Sequence, residues 1–221
     1  MKKVLALAVV SALTASVAVA DSGRNVFTGW SAGVHGGWAS TRANPTLYLN
    51  SAIQSNTAAD NFNQGFAGAH LDWTRSAPNS WLHGLGVALG SGFSSSDTDM
   101  LNPAGVKLAN YNVKRQFYGE LVARLGWNCH DKWALYALAA VRLQNVKVDL
   151  NLLNGTSRST TNQIWSIAPG LGVDYKFANR FSAGLQYRYT FDQNFEWNTG
   201  ANRVSSNLNS HNVLARVSYH F

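Results

Sequence analysis

The sequence predicts an all-β protein, an eight-stranded antiparallel up-and-down transmembrane β-barrel, on three observations. Apolar side chains recur at every second position in blocks long enough to cross a bilayer as strands. The links between these blocks alternate between tight and long. Charged residues make up only 13% of the 221 residues, against about 25% in a water-exposed domain, so something other than charge covers the outside. Disorder is excluded by the 12% aromatic content and eight Trp, too much apolar area to stay unfolded in water.

The chain opens on an address. Lys2 and Lys3 precede an apolar run over residues 4–20, and Ala18-Val19-Ala20 fits the small-x-small cleavage pattern of a secretory signal peptide. Cleavage is expected before Asp21, leaving residues 21–221 as the barrel. No later segment approaches about 18 uninterrupted apolar residues, so no transmembrane helix is expected there.

Strands are then expected near residues 29–39, 65–73 and 81–91. The fourth, over 113–127, places Val113, Phe117, Gly119, Leu121, Ala123, Leu125 and Trp127 on one face, interrupted by Arg115. Its other face carries Lys114, Gln116, Tyr118, Glu120, Val122 and Arg124. The fifth alternates Trp133, Leu135, Ala137, Ala139, Val141 and Leu143 with a face holding Tyr136, Arg142 and Gln144. In the sixth, Trp165, Ile167, Pro169, Leu171, Val173, Tyr175 and Phe177 oppose a row that includes Ser166, Gly170, Gly172 and Asp174; Pro169, lacking a ladder donor, should mark a bulge or distortion. The seventh sets Phe181, Ala183, Leu185, Tyr187, Tyr189 and Phe191 against Ser182, Gly184, Gln186, Arg188, Thr190 and Asp192. The last sets Val213, Ala215, Val217, Tyr219 and Phe221 against Asn212, Leu214, Arg216, Ser218 and His220. Segments 40–64, 92–112, 146–162 and 192–210 are long and rich in Asn, Ser, Thr and Gly, whereas 74–80, 128–132 and 178–180 are tight. Short turns at one end and long links at the other describe a barrel of the outer-membrane kind.

The bulky rows must face outward. An eight-stranded interior is only just wide enough for modest side chains, so Trp, Phe and Leu cannot fill it from every strand. The opposite, lipocalin-like arrangement would also leave a Gly/Ala/Ser exterior with little charge to meet water. Trp73, Trp81, Trp127, Trp133, Phe177, Phe181 and Phe221 fall at strand ends on the short-turn side, where amphipathic rings sit at a membrane interface. The inward rows then carry Glu120, Arg124, Arg142, Asp174, Arg188 and Arg216, with His35 and His70 at the same parity. Unpaired charges in a narrow bore are costly, so a cross-lumen ion network is expected.

The tail Val213-x-Ala215-x-Val217-x-Tyr219-x-Phe221 resembles the C-terminal signal of bacterial outer-membrane proteins read by their assembly machinery. Residues 168–175 and 183–189 look like the later strands of small OmpA-type and opacity-antigen-like barrels. The resemblance implies residence in the bacterial outer membrane, assembly by the barrel-assembly machinery, and contact with outer-membrane lipid and lipopolysaccharide. It also implies a lumen that is plugged or gates a very narrow pore. No periplasmic peptidoglycan-binding domain is expected after the last strand.

A structural or surface role is therefore expected, with a small pore as the variant reading. A second reading is adhesion through the long links, where Leu47, Tyr48, Ile53, Phe62 and Leu150 stand among polar residues and Lys107, Arg158 and Arg203 could meet anionic headgroups. Lipid-modifying catalysis is disfavoured: Ser210 and His211 are adjacent on a strand and point to opposite faces. No cofactor or metal is expected, since Cys129 beside His130 is too little for a site. Basic residues form no clustered stripe, so no nucleic-acid partner is expected.

Overall fold

The computed structural model describes residues 27–49, 52–56, 60–77, 80–93, 95–101, 107–130, 132–152, 157–192, 195–199 and 202–221. The expected signal segment and its cleavage site lie outside them. Eleven strands follow in chain order: β1 (Gly29–Leu49), β2 (Ala52–Asn56), β3 (Asp60–Ser76), β4 (Trp81–Gly92), β5 (Ser95–Leu101), β6 (Lys107–His130), β7 (Trp133–Leu152), β8 (Ser157–Ala178), β9 (Phe181–Asp192), β10 (Phe195–Thr199) and β11 (Asn202–His220). Eight of them, β1, β3, β4, β6, β7, β8, β9 and β11, are the staves of a closed antiparallel barrel in which β11 pairs back onto β1 from Ser31–His220 to Leu49–Asn202. Closure gives every stave two neighbours, which is what hydrocarbon demands of a backbone.

The outward and inward rows are the ones the alternation predicts. Leu85, Leu121, Leu171, Leu185 and Val213 stand exposed on the outside, while Val122, Leu138, Ala140, Ala168 and Leu214 are buried within. Small inward residues make room for large ones: a Cβ on Gly172 would strike the ring of Tyr136, which lies opposite it in register and fills that part of the bore. The turn joining β3 to β4 closes through Ser80 N–H donating to the Ala77 carbonyl at 3.0 Å, with Ser80 at a φ of 68°.

Three features differ from the sequence expectation. First, the long links are extensions of the ladders rather than loose loops. β6 and β7 stay paired up to Ala109–Leu152, β7 and β8 up to Asn151–Ser157, and β1 and β11 up to Leu49–Asn202. β2, β5 and β10 add hairpin strands onto β1, β6 and β11. Polar Ser/Thr/Asn composition reads as loop, but extending a ladder that the barrel has already aligned requires no new loop closure. Second, β6 carries a bulge between Arg115 and Tyr118. Val113 and Arg115 face inward and are buried, Gln116 and Phe117 both face outward, and Tyr118 resumes the inward row. Arg115 is therefore not an interruption of an apolar face; the face changes side at the bulge. Third, of the bulge or distortion expected at Pro169 the structure has the distortion and not the bulge. Its register with Ala139 is unbroken, and on the other side the ladder runs to Ile167–Phe191 and resumes at Gly170–Arg188 in the same register, passing over Ala168 and Pro169.

Candidate functional site

The inward charges stack in three tiers along the bore. In the middle tier Glu120 of β6 sits opposite Arg142 of β7 and accepts its Nε–H at 2.9 Å and a second guanidinium contact at 2.8 Å. Arg188 of β9, three staves away, crosses the bore to the other oxygen of Glu120. Arg188 also donates to Gln186 Oε1, and Arg142 lies 4.6 Å over the ring of Tyr118. The Tyr118 hydroxyl shares a 2.7 Å hydrogen bond with His35 Nε2.

Below it, Asp72 of β3 is clamped between Arg124 of β6 at 2.9 Å and Arg216 of β11. His70 Nε2 stands 3.8 Å from the same carboxylate and 2.9 Å from Ser218 Oγ. Arg124 covers the Tyr136 ring at 5.6 Å, and the Tyr136 hydroxyl donates to Asp174 at 2.9 Å. Above, Arg115 of β6 donates to Asp192 of β9 at 2.6 Å, and Gln144 donates to the second Asp192 oxygen at 3.1 Å. Arg115 also donates to Ser210.

Five of the six expected network residues, Glu120, Arg124, Arg142, Arg188 and Arg216, come together in these tiers. Asp174 stands beside them, next to Arg216 across Gly184 and around one cavity with Arg124 and Arg216. It is half-buried near the short-turn end, where its partner is the Tyr136 hydroxyl, and Asp72 is the acid between Arg124 and Arg216. Sequence reasoning missed Asp72, Asp192 and Arg115. Asp192 already stood on the inward row with Arg188 but was not counted into the network, Asp72 shares the parity of His70 and would have been found by carrying that count along its strand, and Arg115 was hidden by the bulge. Among the described residues, five buried arginines meet the buried acids Asp72, Glu120 and Asp192.

The spaces left between the tiers are small. Among the described residues the bore holds cavities bounded by Asp72, Glu120 and Arg188, by Gln64, Arg115 and Gln144, and by Phe27, Leu82 and Ser182. Each offers about 10 Å³, near the minimum for one water. At the short-turn end Phe27, just ahead of β1, folds into the mouth and is 3% exposed, packing edge-on at 5.9 Å against His220.

Aromatics ring the outside at two levels. Trp73, Trp81, Trp127, Trp133, Phe177, Phe181 and Phe221 all stand on the outer face at the short-turn end, joined by Trp30 opposite Trp73. Trp81 meets Trp127 at 6.4 Å, Phe177 stacks on Phe181 at 6.2 Å, and Tyr219 bridges Phe181 and Phe221 at 5.2 and 5.4 Å. A second ring, not foreseen from sequence, includes exposed Trp38, Phe117, Trp165 and Phe191. Ten residues from Phe117 to Trp127, at about 3.3 Å each and a tilt near 40°, span about 25 Å, the height of a barrel's apolar band. In the C-terminal tail Val213, Ala215, Val217, Tyr219 and Phe221 form the outward row of β11.

The side chains of Leu47, Tyr48, Ile53, Phe62, Leu150, Arg158 and Arg203 lie outside the described residues. Ser210 is buried and faces Arg115, whereas His211 is exposed on the outer face beside Tyr187 at 2.7 Å, so the two form no nucleophile–base pair. No group of three His, Cys, Asp or Glu among the described residues is placed to hold a metal.

The family model described as outer membrane protein beta-barrel domain matches residues 5–221. No curated protein matches the chain by sequence. Among solved structures, the outer membrane protein OprG from Pseudomonas aeruginosa is similar at 16% identity and a TM-score of 0.54, over 90% of this chain and 98% of that one. Ail, the attachment invasion locus protein of Yersinia pestis, matches at 13% identity and 0.39, over 85% and 99%. The outer membrane protease OmpT from Escherichia coli matches at 9% and 0.47, over 93% and 99%.

Proposed function

Since the chain belongs to the family of outer-membrane β-barrel domains, we propose that it is a surface-display barrel with a closed bore, a frame that holds β-ribbons above the membrane and passes no solute through itself. The observation that carries this reading is the tiered ion network. Glu120 joins β6 to β7 and β9, Asp72 joins β3 to β6 and β11, and Asp192 joins β9 to β6, so each tier ties staves from different sides of the bore. A conducting lumen needs a connected water path and ions held weakly enough to leave. Opposite charges paired across the bore and cavities of only about 10 Å³ each between the described residues favour neither. The aromatic rows, about 25 Å apart, act as the two interface belts, and the outward row of β11 as the assembly signal. The apolar exterior meets acyl chains and lipopolysaccharide.

The test is electrical. The refolded barrel in planar bilayers should give no single-channel steps above baseline at either polarity. Sustained steps of hundreds of picosiemens from a homogeneous preparation would refute the closed bore.

Recognition through the ribbons is a second reading, favoured by their pairing into β-ladders, because a preordered surface loses less entropy on binding than a loose loop. Shortening residues 40–64 and 146–162 should abolish adhesion to host cells or matrix; retained adhesion would exclude it.

A further inference from the structure

The buried arginines of the bore outnumber the acids that meet them. In the middle and lower tiers Arg124, Arg142, Arg188 and Arg216 share two buried carboxylates, Asp72 and Glu120. The half-buried Asp174, next to Arg216 across Gly184, offsets a third guanidinium. In the upper tier Arg115 and Asp192 balance each other. One positive charge is left over among the described residues of the two lower tiers, and a guanidinium cannot shed it by losing a proton. A charge held out of water without a partner is costly, so the surplus calls for an anion.

The surplus surrounds one cavity. Arg124 and Arg216 of the lower tier and Arg188 of the middle tier line it together, with His35, His70 and Ala88 in the same wall. Asp72 and Glu120 border it too, but their oxygens are engaged elsewhere. Glu120 gives one oxygen to Arg142 and the other to Arg188. Asp72 gives Oδ2 to Arg124 and Arg216 and rests Oδ1 against Gly86 of β4, a residue outside the cavity wall. Arg124 and Arg216 each keep a buried Nε–H that meets no acceptor among the described residues. Native structures rarely leave a buried donor unmet. The cavity offers about 10 Å³, space for one particle of about the size of a water and too little for an oxyanion such as sulfate. A water there would accept hydrogen bonds but carry no charge; a halide does both.

We propose that this cavity binds one small monovalent anion of the halide class, chloride above all, held among Arg124, Arg188 and Arg216 and joining the lower tier to the middle one. The inference goes beyond the closed bore, because a plug of evenly paired charges needs no ligand.

The full chain would be refolded from urea into uncharged detergent in sodium chloride, bromide, sulfate or gluconate, so that the anion can enter before the barrel closes. Ionic strength is held constant with gluconate while each anion is titrated, and the thermal midpoint reads the stabilisation. A midpoint that rises and saturates with chloride or bromide is expected, with no rise from sulfate. Arg124→Gln leaves Asp72 its Arg216 partner and removes the surplus charge. It should weaken halide affinity about tenfold, the worth of one hydrogen bond to a charged group. Its midpoint should also differ less between chloride and gluconate than that of the unsubstituted chain, whatever its own stability. Lys132→Gln, exposed in the turn between β6 and β7, should keep the full response, which separates a bound ion from general screening. Crystals of the unsubstituted chain grown with bromide should show one anomalous peak in the bore, among the three guanidiniums, an arm that needs no variant to fold. Midpoints equal in chloride and gluconate would leave only water in the cavity and overturn the site. An equal rise with sulfate, an undiminished halide response in Arg124→Gln, or bromide peaks confined to other places would overturn it as well.

Discussion

Replacing Glu120 by Ala should be among the most damaging single changes in the bore. Glu120 is 6% exposed and is the acid on which both Arg142 and Arg188 converge, the first from the neighbouring stave and the second from across the lumen. Removing it leaves two guanidiniums facing each other in a water-poor space, with Gln186 the only other side-chain acceptor recorded for Arg188 among the described residues. Breaking a buried ion pair by deleting one partner costs about 3–5 kcal/mol, and with two cations stranded the upper part of that range is expected. The measurement is equilibrium urea unfolding in phospholipid vesicles followed by Trp fluorescence, with the variant's midpoint compared at fixed slope. Arg188→Ala made on top of Glu120→Ala should cost less than the sum of the two singles by about 1–3 kcal/mol, since it removes one stranded charge. A cost for Glu120→Ala below about 1 kcal/mol, or strict additivity in the double variant, would show that the network does not hold the staves together.

Four further outcomes are expected. Leu171 lies midway between Trp165 and Phe177 on the outer face, so Leu171→Arg should destabilise by about 2–4 kcal/mol, whereas Leu135→Arg, two residues above Trp133, should cost about 0–1 kcal/mol. Equal costs in a detergent-to-vesicle refolding titration would contradict the assigned band. Phe27→Ala should lower stability by about 3–5 kcal/mol through the lost ring and the cavity left in the lower mouth, read by the same unfolding assay; no loss would mean the ring is not part of the fold. Gly172→Val should cost about 1–3 kcal/mol, because its side chain must displace the Tyr136 ring, and Tyr136→Ala made with it should remove most of that penalty. An unheated sample should migrate differently from a boiled one in detergent gels, and Leu171→Arg should reduce the folded band.

Gln186→Arg is less benign than strand parity alone suggests. Gln186 does face inward, but it is 2% exposed, accepts from Arg188 and donates to the Tyr136 hydroxyl at 2.8 Å. A further guanidinium there would meet Arg188 rather than solvent. Inward in this barrel means packed, because an eight-stranded bore has little volume to spare.

Alternation alone determined a great deal: eight staves, their antiparallel order, the outward row of Leu121, Leu171 and Leu185, and the inward row of Glu120, Arg142 and Arg188. Strand period is two whatever the partner, so a single chain's pattern assigns each residue a face without knowledge of its neighbours. The lower aromatic belt was legible for the same reason, since it lies beside turns that the composition marks. What the tertiary structure decided is how far along the bore each residue sits and what it meets. Asp72 pairs with Arg124 and Arg216 because stagger brings β3, β6 and β11 to one height, and stagger is a property of the closed sheet rather than of any one strand. The bulge that turns Arg115 inward toward Asp192 adds one residue to one strand of a ladder, and only the pairing shows it. The ribbons above the upper belt extend ladders whose alignment is set below them, so Ser, Thr and Asn that read as loop in isolation are held as strand by the neighbours that barrel closure supplies.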